Sequence, residues 1–205
     1  MQGFVINANE CLSRNTVAVC HSDYQGGGNW RTPGTIENLI CTLKNDITPY
    51  PQYVLDGATA KLSTILAEDL PQILRAVQKK GIETLRVCVI PRAKHEAYYR
   101  DNQKLFRGTI QQTIKSLGGF EDGTHDIIRV VDTNTTHLTH TKAHRGITNE
   151  SCTISNNVRG KNILLIDDLY TRTINIDEDA IQALYDNGAK NVIFYAIGRT
   201  IYRGC

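Results

Sequence analysis

Three apolar runs constrain this chain more than any other feature. "LRVCVIP" (Leu85 to Pro91), "NILLID" (Asn162 to Asp167) and "NVIFYAI" (Asn191 to Ile197) are β-branched-rich and nearly continuous, which is the pattern of strands covered on both faces. "RDNQKLFRGTIQQTIKSLGG" follows the first as a helix closed by Gly118 and Gly119, and "DIIRVVD" reads as the next strand. "NIDEDAIQALYDNGA" fills the gap between the last two runs with helical spacing. Strand, helix, strand, polar excursion, strand, helix, strand predicts an α/β fold: a mainly parallel twisted sheet flanked by helices. In such sheets ligands sit beyond the carboxyl ends of the strands.

Residues 81–205 carry this pattern, and residues 1–80 read as an N-terminal elaboration of the same domain. "FVINA" and "TVAVC" suggest short strands, and "SDYQGGGNWRTPG" a Gly/Pro-rich loop. Its glycines open no phosphate-binding helix pattern, so "QGGGNW" is not read as a nucleotide loop. Thr35 is the expected N-cap of a helix with Ile36, Leu39, Ile40 and Leu43 on one face. "AKLSTILAEDLPQILRAVQKKG" repeats the pattern up to Gly81, with Pro71 expected to begin a separate helix.

Balance of charge excludes some partners. Among 205 residues, 23 Lys and Arg face 21 Asp and Glu, a formal charge of +2, too even for a general nucleic-acid or membrane surface. The apolar runs fall short of the roughly 20 residues of a membrane span, and "MQGFVINANE" lacks the build of a signal peptide. A cytoplasmic location is expected. Six scattered cysteines, including the terminal Cys205, form neither a zinc ribbon nor a disulfide framework.

The strand "NILLID" runs into Asp167 and Asp168. Adjacent carboxylates repel, so a pair at a strand end calls for a cation or a polyhydroxylated ligand; the bland alternative is that Asp168 only turns the chain. After it, "LYTRTIN" leads to a helix start whose amides and dipole suit a phosphate. Carboxylates for a diol beside a helix start for a phosphate describe a ribose phosphate.

The stretch from Asn162 to Thr200 resembles the signature of the type I phosphoribosyltransferases: four apolar residues, two acids, an apolar pair, a threonine-rich loop, then a helix and a strand ending near Arg-Thr. Within the family it is most similar to the amidophosphoribosyltransferase-like and ComF-like group. The resemblance implies magnesium-dependent transfer of phosphoribose from phosphoribosyl pyrophosphate to a nitrogen-containing acceptor. It places Asp167 and Asp168 on the ribose hydroxyls and on Mg2+, directly or through water. Thr171, Arg172, Thr173, Ile174 and Asn175 would wrap the 5′-phosphate, and Arg92, Ala93 and Lys94 would meet the pyrophosphate. The tract from Thr133 to Arg159 falls where the family carries a loop that closes over the site.

This chain departs from the family loop Thr-Thr-Gly-x-Thr, since Thr173 stands at the glycine and Asn175 at the last threonine. Glycine permits torsions that a β-branched residue resists, and Arg172 could grip a phosphate or fill its pocket. A second class of function follows: a non-catalytic or repurposed member that senses a ribose phosphate or binds a protein partner, as regulatory, toxin-neutralising or phage-defence modules do. His137, His140 and His144 could share a helix face and bind zinc, or lie in a polar loop. His140, Lys142 and Arg145 could meet pyrophosphate when that loop closes. His95 could contact the leaving group or act in proton transfer, or be solvated or structural, and Arg100, Lys104 and Arg107 form either a solvated basic face or a phosphate or nucleic-acid contact.

Overall fold

The computed structural model describes residues 1–47, 49–132, 146–148 and 151–201. His137, His140, Lys142, His144, Arg145 and Cys205 lie outside them, as does most of the expected closing loop. Along the chain run β1 (Gln2–Ile6), β2 (Thr16–Tyr24), α1 (Ile36–Lys44), α2 (Gln52–Gln78), β3 (Leu85–Val89), α3 (Leu105–Lys115), β4 (Phe120–Asp122), β5 (Ile127–Arg129), β6 (Cys152–Ile154), β7 (Asn162–Tyr170), α4 (Ile176–Asp186) and β8 (Asn191–Thr200). Six strands make one sheet in the order β1, β2, β8, β7, β3, β4. Only β1 is antiparallel to its neighbour; the other pairings are parallel. The fold is therefore α/β, with a mostly parallel mixed sheet flanked by helices.

Two apolar layers explain why β3, β7 and β8 read as unbroken hydrophobic runs. On one face, α1, α2 and α3 bury Leu39, Leu66 and Ile110 against Val87, Leu164 and Tyr195. On the other, α4 and the β5–β6 pair bury Ile181 and Ile127 against Cys88, Leu165 and Phe194. Alternate residues of each central strand thus go to opposite cores, and both sets must be apolar. Among the described residues no helix is long and apolar enough to cross a membrane.

The N-terminal residues join this architecture directly. β2 pairs with β8 inside the main sheet, and Thr35 caps α1 by accepting from the Asn38 amide at 3.1 Å. Pro71 does not start a helix; it lies within α2, which begins earlier, at Gln52. Leu62, Ile65, Leu66 and Leu70 before it and Ile73 and Leu74 after it are all buried. Each contributes about 1.5–3 kcal/mol, which together outweighs the ~3 kcal/mol cost of an interior proline.

"DIIRVVD" is not the next strand of the parallel sheet. Its residues Ile127–Arg129 pair antiparallel with Cys152–Ile154 in a separate two-stranded sheet. The place beside β3 belongs to the three-residue β4, too short to show a periodicity. Gly119 delivers it: with φ +83°, it turns the chain back so that its carbonyl accepts from the Leu85 amide at 3.0 Å. A Cβ there would lie 2.4 Å from Leu74 Cδ2. Gly119→Ala should therefore cost about 1–3 kcal/mol in urea unfolding. Gly118→Ala, where nothing lies within 4 Å, should stay within about 0.5 kcal/mol. Equal midpoints for the two variants would refute the role given to the left-handed turn.

Candidate functional site

β3 and β7 are hydrogen-bonded neighbours, with Val89 opposite Ile166 and the Ile90 amide donating to the Ile166 carbonyl at 3.0 Å. From β3 the chain returns through α3 to one side of the sheet, and from β7 through α4 to the other. Those two helices pack on opposite faces, so the chain parts beyond these strand ends and leaves a crevice. It holds a cavity of about 190 Å³, lined by Arg92 and Ala93 after β3, by Asp167 and Asp168 on β7, and by Thr171 and Ile174 after it. An adjoining cavity of about 50 Å³ shares Arg92 and adds Lys94 and Arg107. This is room for a compact polar ligand, below the roughly 300–1,000 Å³ of drug-sized pockets.

The carboxylates are already engaged with the chain. Asp168 Oδ2 lies 3.0 Å from Lys44 Nζ, and Lys44 belongs to the last turn of α1, where the helix dipole favours a cation. Burial alone would lower the Lys44 pKa, but Asp168 and Asp167 outweigh it and hold the ammonium above its ordinary value. Asp167 accepts from the Asp168 amide at 2.8 Å and hydrogen-bonds the Asp177 carboxyl on α4. Burial, then the charge of Asp168, pushes Asp167 up to about 7; burial and Asp167 push Asp177 well above the carboxylate range. Asp177 is 4% exposed and lines the cavity, and its Oδ1 has no partner among the described residues.

The cations divide into committed and available groups. Arg92 donates from Nη1 to the carbonyls of Lys44 (3.2 Å) and Gln103 (2.9 Å), pairs through Nη2 with Asp46, and stacks 4.1 Å over the Tyr99 ring. It braces the wall more than it grips an anion. Arg107 is not part of a solvated face; it pairs with Glu96 at 2.8 Å. Lys104 meets Asp101 at the surface at 3.3 Å, Arg100 and Lys94 are exposed, and His95 caps a turn by accepting from the Ala97 amide at 3.2 Å.

Arg129, the last residue of β5, is the cation that sequence reasoning missed. It is 3% exposed and lines both cavities. Its guanidinium donates to the carbonyls of Arg92 (3.1 Å) and Gly146, and among the described residues no carboxylate is hydrogen-bonded to it. Burial lowers its pKa, yet a guanidinium stays charged. Asp132 acts on this charge only through space, and a buried cation not hydrogen-bonded to a carboxylate among the described residues suits an anionic ligand. The one signal in the sequence is an arginine inside the apolar run "IIRVV".

The loop after β7 resolves the question of its absent glycine. The Ile174 amide closes a turn on the Thr171 carbonyl at 3.0 Å, and the left-handed torsion falls on Asn175 (φ 58°), not on Thr173. Asparagine tolerates that conformation better than a β-branched residue. Arg172 and Thr173 are exposed, while Ile174 gives the cavity an apolar wall. Thr171 Oγ1 lies 3.0 Å from Thr200 Oγ1. Asp177, Glu178 and Asp179 occupy the first turn of α4 and are buried. Glu178 accepts from the Tyr170 hydroxyl at 3.0 Å and Asp179 from the Gly146 amide at 2.7 Å. The negative charge that the helix dipole favours is thus partly supplied by the chain itself.

Magnesium fits this arrangement poorly. It demands ionised, geometrically free oxygens, whereas Asp168 carries Lys44 and burial pushes Asp167 up to about 7. Among the described residues no three His, Cys, Asp or Glu side chains converge as ligands.

Because Asp167 and Asp177 titrate above the roughly 4 of an unfolded aspartate, the folded state holds more protons than the unfolded one between that pH and about 7. Their contribution to stability therefore falls as pH rises through this window. Asp177→Asn should flatten the slope of unfolding free energy against pH from about 4 to 7; identical slopes would rule out a raised Asp177 carboxyl.

Neither a scan of protein-family models nor a search of curated proteins finds a match to this chain, so the reading of the cavity rests on the residues that line it.

Proposed function

We propose that the chain is a phosphoribosyltransferase-type enzyme that binds phosphoribosyl pyrophosphate and transfers its phosphoribose to a nitrogen-containing acceptor. The observation that carries this reading is a single crevice with carboxylates on its β7 wall and cations on its β3 and β5 walls. A sugar diol suits the first and a pyrophosphate the second. Asp167 and Asp168 accept from the ribose hydroxyls. Arg129 and Lys94 face the pyrophosphate, and Arg92 holds the wall between them. Thr171 to Asn175 cradle the 5′-phosphate.

In the transfer, the bond from the ribose anomeric carbon to the pyrophosphate oxygen breaks and the pyrophosphate leaves with the electron pair. The acceptor nitrogen's lone pair forms the new bond, and that nitrogen releases its proton to solvent water. Positive charge that develops on the ribose is stabilised by the Asp168 and Asp167 carboxyls, and negative charge on the leaving group by Arg129 and Lys94. No residue need act as a covalent nucleophile; positioning and charge suffice.

A second reading is a ribose-phosphate sensor without transferase activity. The Ile174 wall and the acidic first turn of α4 favour it, since both lower the affinity expected for a 5′-phosphate.

Thermal-shift titration separates the two. Phosphoribosyl pyrophosphate at about 100 times its dissociation constant should stabilise the protein by about 2.7 kcal/mol. Asp167→Asn combined with Asp168→Asn should abolish the shift while leaving the unliganded protein folded. A shift with ribose 5-phosphate but no added effect of the pyrophosphate would favour the sensor, and no shift with either would sink both.

A further inference from the structure

We propose that Lys44, delivered by the N-terminal helix α1, is the built-in cation of the Asp167–Asp168 pair and stands where a divalent ion would otherwise bind, so that this cavity takes its phosphorylated ligand without magnesium. The ligand named here rests on the ribose-phosphate reading above. The claim about the cation does not, because it follows from how Lys44 is held.

Three features fix the ammonium. Its Nζ lies 3.0 Å from Asp168 Oδ2, with side chains only 27% and 16% exposed, so this is not a solvated surface pair. Its own carbonyl accepts from Arg92 at 3.2 Å. The next residue, Asn45, is buried and left-handed (φ 50°), and its amide donates to the Cys41 carbonyl at 3.0 Å. Helix end, cap and guanidinium brace thus aim Lys44 at the acid pair before any ligand arrives.

Charge counting points the same way. Asp168 is neutralised by Lys44. A divalent ion on Asp168 would have to displace the ammonium. Asp168 uses one of the three N–H donors of Lys44, which leaves donors for ligand oxygens in the cavity that Lys44 lines. On this view residues 1–80 complete the site.

Two measurements test this. First, free Mn2+ is titrated against the unliganded protein and followed by its electron-spin resonance. The wild-type protein should bind none at millimolar concentrations, Lys44→Met should gain a site, and Lys44→Met with Asp168→Asn should lose it again. Mn2+ bound tightly by the wild-type protein and released by Asp168→Asn would overturn the proposal. Second, calorimetry measures affinity for phosphoribosyl pyrophosphate, and for the weaker chelator ribose 5-phosphate, in EDTA and in magnesium. Wild-type affinities should agree within about threefold between the two buffers, and Lys44→Met should lose at least tenfold in EDTA and regain most of it with magnesium. A wild-type affinity that rises more than tenfold with magnesium for both ligands would also overturn it. Should neither sugar phosphate bind in any buffer, the functional reading falls, and the Mn2+ titration alone still decides the role of Lys44. Circular dichroism confirms that each variant is folded.

Discussion

The parallel pairing of β3 with β7 is the constraint on which the rest depends. Both strands are buried on both faces, and their onward connections diverge. Neither helix can then roof the space beyond the pair, and polar side chains at both strand ends stay open to solvent or ligand. Register sets which residues meet there: with Val89 opposite Ile166, Ile90 and Pro91 come level with Asp167 and Asp168, and Arg92 to Lys94 follow just beyond.

Toward the amino ends of β3 and β7, away from that crevice, the sheet is held by a chain of partly buried charge contacts. Arg86 on β3 pairs with Asp126 at 2.5 Å and with Glu121 at 3.5 Å, and Glu121 pairs in turn with Lys161 at 3.0 Å. These contacts tie β4 and the start of β5 to the sheet, and three residues after Asp126 comes Arg129. Gly123 makes the approach feasible, since a Cβ there would lie 2.5 Å from the Asp126 carboxylate. On the other wall α1 brings Lys44 and Asp46 to the cavity, and Asp46 occupies the arginine that the sequence offers to a pyrophosphate. Removing one partner of a buried pair leaves a costly lone charge, so each contact constrains the next.

Much of the fold was legible because burial leaves a periodic trace. β3, β7 and β8 are runs of apolar residues, and α1 and α4 show their faces and, at Thr35, their cap. Three features left no such trace. β4 has three residues, one of them apolar. Pro71 marks a helix boundary by local rules, and only packing on both sides of it overrides them. Ile127–Arg129 is a true strand, but nothing local says that its partner is Cys152–Ile154 and not β3.

The same division holds at the site. By itself the sequence determined that two carboxylates close a buried strand before a turn and a helix, because that order is covalent and the strand's burial is written in its composition. Only the tertiary structure decided what those carboxylates meet. Lys44, 124 positions before Asp168, becomes its counter-ion; Asp177 comes from α4 against Asp167; Arg129 comes from β5 to line the same cavity as Arg92. Charges interact through space over a few ångströms and fall off with dielectric and distance, so their partners are set by where the sheet and helices bring them and not by their separation along the chain.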